Sequence, residues 1–509
     1  MTTFSAAPGE LTAPNGSGGR AQPLNPEAMA LRENVHPPDW RNPEPPGRYD
    51  FVVVGAGPAG MLAARGAATL GKKVALIERN LLGGNCLNVG CVPSKALLRT
   101  SRLFARMGDA QGLGVPRPDG VRIDLPEAMQ RIRRLQARLS RADSAARLRE
   151  HGVDVYFGAA RFTGPTQVTV AGAVLRFKKA LIATGSRPMT PAIPGLIQAG
   201  YWTNEDVFNL EAVPRRLLVI GGGPLGCEFA QAFCRLGAHV IIAQDEPMFL
   251  PCEERDAAQI LSDSLARDGL EIHLNTQVAA VRKSGGDKVV ELVSEDNRNT
   301  VVVDEILAGI GREPNVENMD LEAARVEYDT TAGIHVNDFL RTTNARIYAA
   351  GDVCLAHKYT HLAHATARIV LRNAFLRGSH RLSSLTVPWC TYTDPEIAHV
   401  GLYVREAREQ AIPVKTFTIL MHDVDRAVTD GDEEGFLKIH VKDGTDEILG
   451  ATVVARFAGE MINELSLAIT AGIGLEELGR VIHAYPTRAG AIKMAADAYF
   501  RMRLKEAAS

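Results

Sequence analysis

Residues 49–79 read YDFVVVGAGPAGMLAARGAATLGKKVALIER, and residues 216–245 read RLLVIGGGPLGCEFAQAFCRLGAHVIIAQD. Each opens with an apolar run, passes a glycine-punctuated turn into a stretch of helical spacing, and closes on a second apolar run. That pattern predicts strand, turn, helix and strand. Gly55, Gly57 and Gly60 fall without a gap on Gly221, Gly223 and Gly226, and Gly71 falls on Gly237, an offset of 166 residues. The second strands end together at Glu78 and Gln244. A repeat held in frame over a whole supersecondary unit marks two copies of one functional device. In each copy the first glycine permits a tight turn, the second lets a phosphate approach the backbone, and the third lets helix and strand pack closely. The helix start offers free N–H groups and the positive end of its dipole to a pyrophosphate. Two dinucleotide sites on α/β units are therefore expected.

The ribose positions tell the copies apart. Glu78, 23 residues after Gly55, can accept hydrogen bonds from both hydroxyls of an adenosine ribose. Its counterpart Gln244 is neutral and is followed by Asp245. A 2′-phosphate calls for a cation there, and an aspartate repels it, so NAD(H) is expected to be preferred over NADP(H).

The rest of the chain narrows the class. Its 509 residues, 46% hydrophobic and 23% charged, allow about three ordinary globular domains. With 57 basic against 59 acidic residues the net charge is −2, so no bulk field recruits nucleic acid or an anionic membrane, and small molecules are the expected partners. No apolar run reaches the roughly 18 residues needed to cross a bilayer, and the start MTTFSAAPGELTAPNGSGG has no secretory pattern. Seven cysteines fit a reducing compartment, so a cytoplasmic enzyme is expected. Residues 1–46, rich in Pro, Gly, Ser and Asn, read as an extension that is loose or wraps the body.

Residues 83–95, GGNCLNVGCVPSK, set Cys86 and Cys91 five positions apart. On a regular helix such positions lie roughly 8 to 9 Å apart, beyond the ~7 Å reach of a disulfide. The backbone between them must bend, which Gly83, Gly84 and Gly90 allow, and Pro93 suits the first turn of the helix that follows. The other cysteines (Cys227, Cys234, Cys252, Cys354 and Cys390) supply no second pair for zinc, and no metal site is expected. A bridge over so short a loop stabilises little by chain entropy. Reactivity explains the pair better, because a thiolate is favoured at a helix start such as Cys91. The plain alternative is two inert thiols packed beside a glycine loop.

With these residues in place, the chain from about residue 47 onward resembles the class I pyridine nucleotide-disulfide oxidoreductases. That FAD-dependent family includes dihydrolipoamide dehydrogenase, glutathione reductase and mercuric reductase. GGNCLNVGCVPSK matches the family's redox signature except at Asn85, where threonine is usual. LIATGSRP (181–188), AGIGREPN (308–315), IYAAGDV (347–353) and TYTDPEIAHVGL (391–402) follow in family order. The resemblance implies two Rossmann-type domains and a C-terminal α+β dimerisation domain: FAD-binding at 47–194 and 316–381, NAD-binding at 195–315, and interface at 382–509. It implies FAD on Gly55, Gly57, Gly60, Glu78, Lys95, Thr184 and Gly185, with Asp352 on the ribityl chain. The nicotinamide dinucleotide would lie on Gly221, Gly223, Gly226, Gln244 and Gly311, and Lys95 and Glu228 would pair beside the flavin ring. It further implies that NADH reduces the flavin, that the flavin reduces a Cys86–Cys91 disulfide through Cys91, and that Cys86 attacks the substrate. Cys91 would remain as a thiolate in charge-transfer contact with the ring. A homodimer is implied, with residues 458–472 as interface helix.

The match breaks at residues 483–490, HAYPTRAG. Disulfide reductases of the family carry His-Pro-Thr there, with a glutamate five residues after the histidine, as an acid–base dyad. Here Tyr485 and Gly490 stand in those places, and His483 two residues earlier is expected to play no catalytic part. Tyrosine at this position resembles mercuric reductases, where it assists the metal ion, yet the chain ends RMRLKEAAS without their vicinal cysteines. The expected activity is transfer of electrons through the cysteine pair to a metal ion or small electrophile. A dihydrolipoamide dehydrogenase with a displaced base and a flavin-bound redox sensor without turnover are the alternatives. His361 and His364, three apart on a predicted helix, are expected to pack near the flavin, and Cys227, Cys234 and Cys390 to be inert buried thiols.

Overall fold

A computed structural model describes residues 26–116, 120–295, 297–376 and 378–508. In chain order the elements begin with α1 (Pro26–Val35), β1 (Arg48–Val54), α2 (Pro58–Thr69), β2 (Val74–Glu78), α3 (Gly84–Asn88) and α4 (Cys91–Asp109). Next come α5 (Leu125–Ser140), α6 (Ala145–Glu150), β3 (Val153–Phe157), β4 (Ala160–Gly164), β5 (Gln167–Val170), β6 (Ala173–Ile182), β7 (Ser186–Pro188) and α7 (Leu196–Ala199). The second repeat supplies β8 (Arg216–Ile220), α8 (Pro224–Arg235) and β9 (His239–Ala243), then α9 (Arg255–Arg267) and β10 (Glu271–His273). A meander β11 (Gln277–Ser284), β12 (Asp287–Val293) and β13 (Arg298–Val303) leads to β14 (Glu305–Ala308) and β15 (Arg312–Pro314).

The described residues of Met1–Leu97, Pro118–Ile220 and Gln277–Gly378 form one compact unit. Its main sheet runs β3-β2-β1-β6-β5-β4. β3, β2, β1 and β6 are parallel, and the long β6 also pairs with Ile347–Ala349 in parallel and with β5 antiparallel. Parallel strands are covered on both faces, so YDFVVV reads as an almost unbroken apolar run rather than an alternating one. Its core gathers Val52, Val54, Ile77, Tyr156, Phe162, Phe177 and Ile182. In the same unit β14 pairs with β8 in parallel, and β15 pairs with β7 antiparallel. The segment 26–46 belongs to this unit as helix α1 and an extended strap, while residues 1–25 lie outside the described residues.

The described residues of Leu98–Arg117, Gly221–Thr276 and Ser379–Ser509 form the other unit. The division falls directly after β8, inside the second repeat. This unit holds α8, β9 and β10, the last two paired in parallel. Beyond residue 379 an antiparallel five-stranded sheet has Ile448–Ala455 as its central strand, flanked by Glu396–Gly401 and Phe436–Lys442. Helices Ala458–Ala471 and Gly490–Ala508 supply Met461, Ile462, Leu465, Ile492 and Ala495 to its core.

Candidate active site

The two glycine turns do what their sequence requires. Gly55 has φ +98°, and a Cβ there would lie 2.4 Å from the Ala183 carbonyl oxygen, so only glycine fits the turn. A Cβ on Gly60 would lie 1.8 Å from the Gly55 oxygen, which is the close helix–strand approach expected of the third glycine. Around Gly57 nothing lies within 4 Å of the Cβ position, and α2 starts there without any side-chain cap. The second turn repeats this: Gly221 has φ +102°, the space at Gly223 is open, and α8 starts uncapped. Each turn thus presents bare N–H donors to an open cradle, which suits a pyrophosphate.

Glu78 and Gln244 close their turns in the same way. Glu78 Oε2 accepts the Ala56 N–H (2.8 Å) and Oε1 accepts that of Asn80 (2.8 Å), while Gln244 Oε1 accepts the N–H of Gly222 (2.6 Å), the counterpart of Ala56. Burial pushes the Glu78 carboxyl up, and its backbone N–H bonds oppose that. The Gln244 acceptor is engaged by the turn, so this buried side chain offers a ribose chiefly its amide donor. Asp245 is the exposed acceptor beside it.

The backbone between the cysteines does bend. Helix α3 ends at Asn88, Val89 leaves helical geometry with φ −141°, and α4 restarts at Cys91. Gly83 and Gly84 take φ +86° and +58°, whereas Gly90 serves by close approach, its Cβ position lying 2.8 Å from the Asn85 oxygen. A Cβ on Gly84 would lie 2.8 Å from Gly57 Cα, so the cysteine loop rests directly on the first glycine turn. The structure holds the pair as thiols, Cys86 partly buried and Cys91 exposed. The hydrogen bond with Cys91, followed by burial, pushes the Cys86 thiol well up. Cys91 Sγ lies 3.4 Å from Thr360 Oγ1.

A hub that the motifs did not reveal holds this loop. Arg312, next to Gly311, donates to Ser186 Oγ (2.8 Å), Ser186 O (2.9 Å) and Asn204 Oδ1 (3.3 Å). Ser186 donates to Asp352 (2.6 Å), Asn204 donates to Val89 O (2.8 Å), and Asn85 donates to Ser186 O (2.7 Å). The amide at Asn85 thus ties the cysteine loop to β7. Burial lowers the Arg312 pKa, opposed by Asp352, Glu205 and Cys91. Thr184 and Gly185 are fixed by Asn315, whose N–H reaches the Gly185 oxygen (2.9 Å), while its oxygen accepts from Thr184 Oγ1 (2.7 Å). Lys95 stands in the first turn of α4, and the buried Glu228 on α8 accepts the Tyr392 N–H (2.9 Å).

Tyr485 is 82% exposed and donates to Asp425 Oδ2 (2.8 Å), a bond that raises its pKa. At Gly490 the Cβ direction is open. Both ring nitrogens of His483 are engaged, Nε2 by Glu464 (2.8 Å) and Nδ1 by the Val481 oxygen (3.2 Å). Cys227 is buried and its thiol is pushed up by that burial; Cys234 is pushed up to about 11 by the same cause. His361 and His364 sit on the helix Thr360–Phe375, and burial lowers the pKa of His364.

The profile of the pyridine nucleotide-disulphide oxidoreductases matches residues 49–368, and that of their dimerisation domain matches residues 387–496. The chain belongs to the pyridine nucleotide-disulphide oxidoreductase family. Among its relatives, the mercuric reductase of Lysinibacillus sphaericus is 33% identical over 88% of this chain and 82% of its own length. The dihydrolipoyl dehydrogenase of Thermus scotoductus is 34% identical over 90% of this chain and 98% of its own. The fold is that of the HOCl-induced flavoprotein disulfide reductase RclA from Escherichia coli (TM-score 0.79, 28% identity, 88% of this chain and 99% of that one). RclA is also known as a Cu(II) complex (TM-score 0.79, 27% identity, 89% of this chain and 99% of that one). Members of the family use FAD and NAD(P)H, and the chain is an enzyme of this class. Its residues fit both groups: two open, uncapped cradles and, in the first copy, a carboxylate at the ribose position. No helix among the described residues is long and apolar enough to cross a membrane.

Proposed function

We propose that this enzyme uses Cys86 and Cys91 to reduce a metal ion or small electrophile, and that it is a poor lipoamide dehydrogenase. FAD would be held at Gly55, Gly57, Gly60 and Glu78, and the nicotinamide dinucleotide, preferably NADH, at Gly221, Gly223, Gly226, Gln244 and Asp245. Bound there, the two would supply the electron pair that reduces the cysteines. Oxidation of the dithiol to the Cys86–Cys91 disulfide returns two electrons to the acceptor and releases two protons.

The observation that carries the reading is the replacement of the acid–base dyad. The Tyr485 phenol is held protonated by its bond to Asp425, and Gly490 has no carboxylate. A dithiol substrate needs a base to take its proton; a metal ion bound by thiolates does not. His483 offers no free ring nitrogen to replace that base. The mercuric reductase relatives and the Cu(II) complex of RclA support an inorganic acceptor. We also propose a cytoplasmic homodimer, with FAD-binding (47–194, 316–381), NAD-binding (195–315) and interface (382–509) domains.

The test is an anaerobic thiol count followed by an acceptor comparison. NADH is expected to expose two new titratable thiols per chain in the oxidised protein and none in Cys91→Ser with FAD retained. Hg(II) or Cu(II) is expected to be reduced faster than lipoamide, and Tyr485→Phe to slow only metal reduction. Rapid lipoamide turnover by the unmodified enzyme would overturn the proposal.

A further inference from the structure

Strand β1 begins at residue 48, yet residues 34–42 are engaged closely with the far edge of its sheet. Strand β3 is the edge of the main sheet on this side, so one row of its backbone groups lacks a neighbouring strand. The strap supplies partners. Asn42 acts as a one-residue strand: its Nδ2 donates to the Phe157 oxygen (2.9 Å) and its Oδ1 accepts the Phe157 N–H (2.8 Å). Trp40 Nε1 donates to the Val155 oxygen (3.1 Å), with the Arg149 guanidinium 5.1 Å above its ring. His36 stacks on Phe157 with centroids 4.1 Å apart and planes 13° from parallel.

These contacts converge on one residue. Phe157 is the register partner of Glu78, and the Glu78 carbonyl accepts the N–H of Gly158 (2.9 Å). On its other side the Glu78 carboxylate is fixed by Asn80 N–H, and the Asn80 carbonyl is bound by His36 Nδ1. A carbonyl only accepts, so Nδ1 carries the proton. Just beyond, the Val35 oxygen accepts the Leu82 N–H (3.0 Å). Besides the Ala56 N–H on Oε2, two neighbours orient Glu78, the end of β3 and the turn 79–82, and both are braced by the strap.

We infer that residues 34–42 are a latch for FAD, in which His36 and Asn42 are positioning residues that hold Glu78 for the adenosine ribose. The inference rests on the placement of FAD in the first repeat. The latch slows release of the adenosine end and has no part in reduction of the cysteine pair. Strand β1 begins only six residues after Asn42, so the strap is tethered close to the site it braces.

The test uses the full chain loaded with FAD, following flavin release by its fluorescence and ADP-ribose binding to the apoprotein. His36→Ala and Asn42→Ala are each expected to speed FAD loss about ten-fold and to weaken ADP-ribose to a similar degree. In a Glu78→Gln background, which itself releases FAD faster, the same changes are expected to add less than two-fold, because they act through Glu78. Ordinary destabilisation of the domain would give the full ten-fold in both backgrounds, and that additivity overturns the latch. Fast release in Glu78→Gln with unchanged release in the strap variants also overturns it, while leaving the FAD site standing. Unchanged release in Glu78→Gln overturns the site reading itself.

Discussion

Tyr485→His combined with Gly490→Glu should turn this enzyme toward lipoamide. At pH 7 a phenol of pKa 10 is ionised in about one molecule in a thousand, and the Asp425 bond that raises the Tyr485 pKa makes the fraction smaller still. An imidazole with pKa about 6.5 is neutral in roughly three molecules of four at that pH. A positioned base contributes about 10²- to 10⁴-fold to rate, so the double variant is expected to gain about 10²-fold in kcat/KM for lipoamide. Tyr485→His alone should gain about 10-fold, because an imidazole is shorter than a phenol and does not reach Asp425 for orientation. Position 490 can take a glutamate: its Cβ direction is open, and it starts the helix Gly490–Ala508, where a carboxylate gains about 0.3 to 1 kcal/mol from the dipole. The assay is steady-state oxidation of NADH with lipoamide between pH 5.5 and 8.5. The variant should acquire a rise in rate with an apparent pKa near that of histidine, ~6.5. The reasoning is refuted if the unmodified enzyme already shows that rise, or if the double variant gains nothing while NADH still reduces its cysteines at the original rate.

Asp245→Arg should shift the kcat/KM ratio toward NADPH by about 1 to 3 kcal/mol, the value of one charge-assisted hydrogen bond, read from kinetics with both dinucleotides. Arg312→Met should lower stability by about 2 to 4 kcal/mol in urea unfolding, since Ser186 and Asn204 lose three guanidinium bonds. Arg312→Lys should recover only part of it, because a point charge cannot form the fork. His399 is buried, stacked on Tyr403 with centroids 3.6 Å apart, and held by Thr452 and the Gly401 oxygen. Its burial depresses the folded pKa to about 3. The unfolded chain takes up this proton first, so stability is complete above about pH 6.5 and falls as pH drops toward 3, by at most ~1.4 kcal/mol per pH unit. Thermal unfolding at pH 7 and pH 5 should show that slope, and His399→Gln should reduce it.

The glycine turns and the bend between the two cysteines were legible in the sequence because each is a local demand. Positive φ at Gly55 and Gly221, the close approach at Gly60 and the break at Val89–Gly90 are conditions on a few adjacent peptide units, and residue type declares them. The family likewise followed from motifs whose spacing survives any rearrangement of the rest. Asn85 shows the boundary: its departure from threonine was visible in the sequence, but its bond to Ser186, 101 residues away, was not.

Tertiary structure alone decided how distant polar groups share partners. Arg312, Ser186, Asn204 and Asp352 come from four separate stretches of chain, and no periodicity announces that their donors and acceptors will meet. Only the fold shows that the Gln244 oxygen accepts the N–H of Gly222. The composition of residues 1–46 left open whether the extension is loose or wraps the body, and α1 buries only Val35, so nothing local says where residues 26–46 would dock. They dock where β3 leaves an unpaired edge that Asn42 and Trp40 complete, and only the assembled sheet creates that edge. What one segment needs from its own backbone is written in its residues; which group far along the chain will satisfy a buried donor depends on where the whole chain has packed.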